Sequence, residues 1–344
     1  PSSMKCFNMD KRTTLLKRIF LFSIPFMILT GIYILTDPFM VIYNYDDFNR
    51  KQYIHKNRDF VSTEMFKKNS EKYIYDSFIF GSSTSLFIPP SIWSDYIQTE
   101  NKVFSFDASS ERLAGLWSKV KFIDERNVRI KNALLVFDFR TFKDFDNTDP
   151  TSMKHFEVYH SSKLNFHYRY LLQFLKIEFL AAIIPYKLLN RYLPYMEGVI
   201  TVLPDYYDPI TNEFHNTGVD QLLKTDSVKY YEDRIDRFPV RSGEYSEEVK
   251  MSTSEHTQML NEIKAILDKN NTNYKVLICP SYNQVAYNRE DLELTEAVFG
   301  KEHVTDFTGI NRFTQEKSNF YDATHFKKFI GKQMLDSAYY ASGQ

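Results

Sequence analysis

Residues 73–83 read YIYDSFIFGSS, an apolar run of strand length that ends in a glycine and two serines. Residues 73–80 suit one buried strand, and Gly81-Ser82-Ser83 reads as the tight turn that follows it. A serine in such a turn has its hydroxyl at the carboxyl edge of a sheet with a helix N-terminus behind it. Backbone N–H groups and the helix dipole at that edge favour an oxyanion. Alone, a serine-rich turn is weak evidence of chemistry. The lysine of a phosphate-cradling loop is missing here.

The same rhythm continues outward. Residues 102–106 (KVFSF), 133–139 (ALLVFDF), 274–279 (YKVLIC) and 304–307 each read as a short strand. Between them, helical spacing runs through Leu113, Leu116, Val120 and Ile123, and again through Met259, Ile263, Ile266 and Leu267; residues 326–340 read as a last helix. Strands alternating with helices predict an α/β domain of three layers, a central parallel sheet of about five strands covered on both faces. The domain is expected over residues 73–344, after a connector at 37–72. Residues 140–274 are more than one crossover needs, so a helical and loop insertion is expected at about 145–252. Within it, residues 168–193 are apolar but carry Lys176, Glu178, Lys187 and Arg191. One or two helices broken near Pro185 are expected, packed over the domain or lying on a bilayer or membrane partner. Residues 203–218 read as a hairpin or exposed loop. Such insertions sit above strand ends, so this one is expected to shape substrate access.

Residues 19–36, IFLFSIPFMILTGIYILT, carry no charge and as a helix would reach about 27 Å, close to a bilayer core. Lys5, Lys11, Arg12, Lys17 and Arg18 precede them, whereas Asp37, Asp46 and Asp47 follow. The positive-inside rule then makes residues 1–18 a cytoplasmic tail and puts the rest outside. A cleaved signal peptide would need small residues at its cleavage site, and TDPFMVIY supplies none. A buried amphipathic helix would show a polar face, which this segment lacks. A retained single-pass anchor is the reading. Cys6 and Cys279 would lie on opposite sides of the membrane and could not pair. A net charge of −1 argues against a general polyanion binder, and no nucleic acid is expected as a partner. The spacing of His155, His160 and His167 does not put three ligands on one helical face, so neither metal nor cofactor is expected.

The second chemical signal is Asp322-Ala323-Thr324-His325, just before the last predicted helix. A serine hydroxyl needs a base to take its proton, and that base needs an acceptor to fix its tautomer. Asp-x-x-His supplies both from one loop, with His325 facing Ser83 through Nε2. The competing reading makes Asp322 a helix cap and His325 incidental.

Gly-x-Ser after the first strand, five strand–helix units and Asp-x-x-His at the last helix resemble the SGNH (GDSL-type) hydrolase superfamily. The resemblance runs from about residue 73 to 339, with Gly331 matching the helix after the family's histidine. It implies Ser83 as nucleophile, with Asp322 and His325 completing a triad, while Ser82 stands where the family carries Asp. It departs at the oxyanion hole. The family has a glycine after strand two, where this chain reads Ser105-Phe106-Asp107-Ala108-Ser109-Ser110, and an asparagine after strand three, where it reads Asp138-Phe139-Arg140-Thr141. Ser109 or Ser110 could donate a backbone N–H instead. Arg140 could bind an oxyanion or anionic substrate, or only pair with Asp138 or Asp144.

The anchor and the departures resemble one subgroup, the membrane-anchored extracytoplasmic proteins of bacterial envelope acylation. It includes the D-alanyl transfer protein of teichoic acid synthesis and the SGNH-like alginate O-acetyltransferases. That resemblance implies the bacterial cytoplasmic membrane and a membrane-bound O-acyltransferase as partner. It also implies O-acyl transfer through Ser83 to a cell-envelope glycan. An O-acyl esterase and a non-catalytic glycan- or partner-binding scaffold are the alternatives.

Overall fold

The computed structural model describes residues 2–50, 53–144, 152–201 and 205–340, with only the backbone for residues 2–11. The expected insertion and loop fall partly on residues 145–151 and 202–204, which lie outside the described residues.

The strands are β1 (Tyr75–Gly81), β2 (Lys102–Asp107), β3 (Asn132–Phe137), β4 (Tyr206–Tyr207), β5 (Phe214–His215), β6 (Asn273–Ile278) and β7 (Val304–Asp306). Five of them form one parallel sheet in the order β2-β1-β3-β6-β7, while β4 and β5 pair as a small antiparallel hairpin. The helices are α1 (Ser2–Thr36), α2 (Arg58–Asn69), α3 (Pro90–Trp93), α4 (Leu113–Glu125), α5 (Lys163–Phe174), α6 (Ile177–Leu189), α7 (Thr217–Thr225), α8 (Ser227–Glu232), α9 (Ser254–Lys269), α10 (Arg289–Phe299) and α11 (Lys328–Tyr340). This is an α/β protein with a central parallel sheet.

Successive side chains of a strand point to opposite faces, and the packing follows that period. Phe78 and Phe80, Phe104 and Phe106, and Leu135 and Phe137 join one core with α2, α4 and α9. Ile79, Val103, Leu134, Val136 and Leu277 join the other, with Trp93 of α3 and Ile330, Met334 and Leu335 of α11. Hence three layers. The residues expected as a connector contribute α2, whose Phe66 is fully buried among Tyr75, Phe78, Phe104, Phe106 and Phe122.

Residues 168–193 also differ from expectation. The break falls at residues 175–176, and Pro185 lies inside α6. A proline cannot bond the carbonyl four residues back. That carbonyl, of Ala181, accepts instead from the Tyr195 hydroxyl at 3.4 Å.

Over Arg12–Thr36, α1 is long and apolar enough to cross a membrane, and almost none of it is buried. It is therefore no core helix of this domain. The helix continues through residues 2–18, expected only as a tail. Its C-terminal end is locked to the domain. Buried Asp37 accepts from the backbone N–H of Val41, Ile42 and Tyr43 and from the Tyr45 hydroxyl. Tyr33 meets Phe174 at 5.4 Å between ring centroids, and Phe39 meets Tyr170 and Phe179 at 5.2 and 4.9 Å.

Gly331 lets α11 press onto the turn after β1. A Cβ there would fall 2.2 Å from the Phe87 carbonyl oxygen. Gly331→Ala must push the backbone apart and is expected to cost about 1–3 kcal/mol, measurable as a lower midpoint in denaturant unfolding.

Candidate active site

In a sheet of this order the chain leaves β1 toward β2 and then crosses to β3 on the other side. The β1/β3 carboxyl end is therefore a switch point, where open α/β sheets leave a crevice. Ser83 sits there as the first residue of a 3-10 turn, Ser83–Phe87. Gly81 makes the close approach possible, since a Cβ on it would lie 2.8 Å from Ser85 Cβ and 2.9 Å from Val136 Cβ.

The turn meets a loop from the far end of the chain. Ser83 Oγ lies 2.8 Å from His325 Nε2, and His325 Nδ1 lies 2.8 Å from Asp322 Oδ2 and 3.0 Å from Oδ1. Asp322 Oδ1 also accepts from the backbone N–H of Thr324 and His325 at 2.8 and 3.0 Å. Helix α11 starts only at Lys328, so the carboxylate folds its own loop and does not cap the helix. Burial alone would raise its pKa, but the His325 hydrogen bond and charge and the two backbone donors bring it down to about 2. At neutral pH the carboxylate can only accept. The ring proton is therefore on Nδ1, and Nε2 is left to accept from Ser83.

Other expected residues gather at the same rim. Ala108 N–H donates to the Gly81 carbonyl at 3.3 Å, which brings the 108–112 loop beside the end of β1. Ser109 and Ser110 are half-buried, and Ser110 adopts a φ of 52°. Among the described residues, neither backbone N–H has an acceptor. Arg140 does pair with Asp138, at 3.5 Å from guanidinium to carboxylate, and its own backbone N–H also bonds that carboxylate.

Three features escaped the sequence. Ser82 donates to Asp138 Oδ2 at 2.6 Å, so the carboxylate at this edge comes from the end of β3. Arg112 is a second cation beside Arg140. Burial, and then the neighbouring guanidinium, push its pKa below the ordinary arginine value. The Nε atoms of both arginines are buried without a hydrogen-bond partner among the described residues. Finally, α8 clamps the histidine loop. The Tyr230 and Tyr231 hydroxyls of α8 donate to the Tyr321 and Phe320 carbonyls, each at 2.9 Å. The sequence offers Asp138 only as a partner for Arg140, not for Ser82, and proximity to the predicted strand ends could have flagged Arg112. Nothing local marks the two tyrosines.

Beneath the 108–112 loop lies a buried charge network. Arg58 binds Asp107 through Nε and a terminal nitrogen at 3.0 and 2.8 Å, and Asn212 bonds both. Lys119 pairs with Glu111 at 2.9 Å and Asp59 at 3.4 Å, and Lys154 joins the same two carboxylates. His155 is buried against Phe60 and Phe156 and bonds Glu64.

Fold and geometry together define a parallel α/β protein with a serine–histidine–aspartate relay at its switch point. No family model and no curated protein sequence matches this chain.

Asp322 is ionised well below its ordinary pKa of 3.8 in the folded chain, so its stabilising effect is complete above about pH 4 and disappears as pH falls toward about 2. The stability difference between the parent and Asp322→Asn is expected to shrink over that interval. Urea unfolding at stepped pH measures it.

Proposed function

We propose that this chain is an SGNH-like serine acyltransferase, anchored by α1 with its domain outside the cytoplasm, that passes an O-acyl group to a cell-envelope glycan. The observation that carries the reading is the continuous relay Ser83–His325–Asp322, with its two hydrogen bonds of 2.8 Å. Its first and last members are about 240 residues apart in the chain, so no local turn brings them together. The membrane-bound O-acyltransferase partner follows from the family resemblance and belongs to the same proposal.

The chemistry divides into two halves. Ser83 Oγ attacks the acyl carbonyl of the donor while His325 Nε2 takes the hydroxyl proton. The donor's leaving group departs with that proton, leaving an ester on Ser83. A glycan hydroxyl then gives its proton to Nε2 and attacks the ester. The serine oxygen leaves and recovers the proton. Asp322 stays ionised throughout and stabilises the imidazolium. The oxyanion faces the N–H of Ser83, which as the first residue of its turn has no partner within it, and those of Ser109 and Ser110. Arg140 and Arg112 place two cations beside one carboxylate, Asp138. They suit an oxyanion or an anionic part of the acceptor.

Ser83→Ala and His325→Ala are each expected to lower turnover of an activated acyl ester at least ~10³-fold, and the double variant no further. Mass spectrometry of the parent should find the acyl group on Ser83. Label elsewhere, or none with any donor, would sink the proposal. With an acceptor glycan present, acylated glycan is the expected product; free acid alone would make the chain an esterase. Ser83→Ala expressed at normal level with intact envelope acylation would make it a scaffold.

A further inference from the structure

Helices α5 and α6 bury one side and leave the other apolar. On α5, Phe166, Tyr170 and Phe174 enter the core while Leu164, Tyr168 and Leu172 point outward at the same four-residue spacing. On α6, Phe179, Ala182 and Ile183 are buried while Ile177, Ile184 and Leu188 are exposed. Leu164, Ile177 and Leu188 are 81%, 79% and 78% exposed. Water alone does not account for an outward stripe of this kind over two consecutive helices.

We infer that this stripe lies in the interfacial zone of the outer leaflet, with lipid as its occupant. Two observations choose lipid. The first is height. Tyr33 stands three residues, or about 4.5 Å along the axis, before the end of α1 at Thr36, and its ring packs on Phe174, the last residue of α5. Wherever the bilayer boundary meets the end of α1, the α5–α6 junction is held at that level. Residue 177, the first of α6, is the next exposed apolar position beyond it. The second observation is charge. Lys163, Arg169, Lys176, Lys187 and Arg191 accompany the stripe, against the single carboxylate Glu178, in a chain whose net charge is −1. Long cationic side chains around an apolar face suit anionic headgroups. The inference rests on α1 spanning the bilayer and is independent of the chemistry at Ser83.

The test uses the full chain with Cys6→Ser and Cys279→Ala, reconstituted in vesicles of phosphatidylcholine with and without phosphatidylglycerol. A polarity-sensitive fluorophore is attached at Leu172→Cys, Leu188→Cys, Phe22→Cys in α1, or fully exposed Val240→Cys. At 172 and 188 the expected result is a blue-shifted emission and a several-fold loss of intensity when a headgroup-proximal nitroxide lipid is included. The effect should be stronger with phosphatidylglycerol, while position 240 stays water-like. Water-like signals at 172 and 188 with a lipid-quenched signal at 22 would overturn the inference while leaving the anchor intact. Water-like signals at 22 as well would overturn the spanning reading and the inference with it. A blue shift that ignores the nitroxide lipid and fades as protein is diluted in lipid would identify a second copy as occupant and also overturn it.

Discussion

Parallel pairing is the constraint on which the rest of this molecule depends. A parallel strand cannot return by a tight turn, so each crossover delivers the chain to the same edge again. The β1/β2 and β1/β3 registers end together at Gly81 opposite Asp107 and Val136. The parts of the candidate site then emerge along one line: the 82–84 turn, the 108–112 loop, Asp138 with Arg140, and the 322–325 loop. The space needed for that convergence comes from missing side chains, at Gly81 beneath the serine turn and at Gly331 behind it.

The histidine loop shows how far such an edge relies on neighbours. Its ring packs on Phe87 at 5.5 Å, its carboxylate folds its own backbone, and two tyrosines from α8 hold the carbonyls before it. On the other side the 108–112 loop rests on charges that water does not reach. Removing one partner of a buried pair leaves the other uncompensated, at about 3–5 kcal/mol. Burial alone would lower the pKa of Lys119, yet Glu111 and Asp59 hold it above the usual lysine value. The network therefore works as a charged foundation for the rim.

Much of this was legible because it was local. Short apolar runs in residues 73–80 and 133–139 announced buried strands, and Asp322 and His325 lie three residues apart, so one loop suffices to join them. Gly81 marked the turn. What stayed hidden depends on pairings between distant segments. Nothing around Ser82 points to Asp138, 56 residues later, and nothing near Tyr230 points to Tyr321. Helix α2 was obscured because its charge-bearing stretch read as connector, whereas Arg58 and Asp59 are buried in ion pairs. Pro185 suggested a helix break on local grounds. A hydroxyl ten residues on satisfies the carbonyl it strands, and the helix continues.

The turn around Asp37 bears on how the molecule moves. A floppy tether would let the serine edge wander over a wide cone above its point of attachment. Here one carboxylate gathers three successive backbone amides directly after α1, and aromatic rings brace the same corner, so helix and domain tilt as one body. With α1 in a bilayer, as proposed, the search for a reaction partner shrinks to sliding and spinning in a plane. Orientation is then largely settled before any encounter.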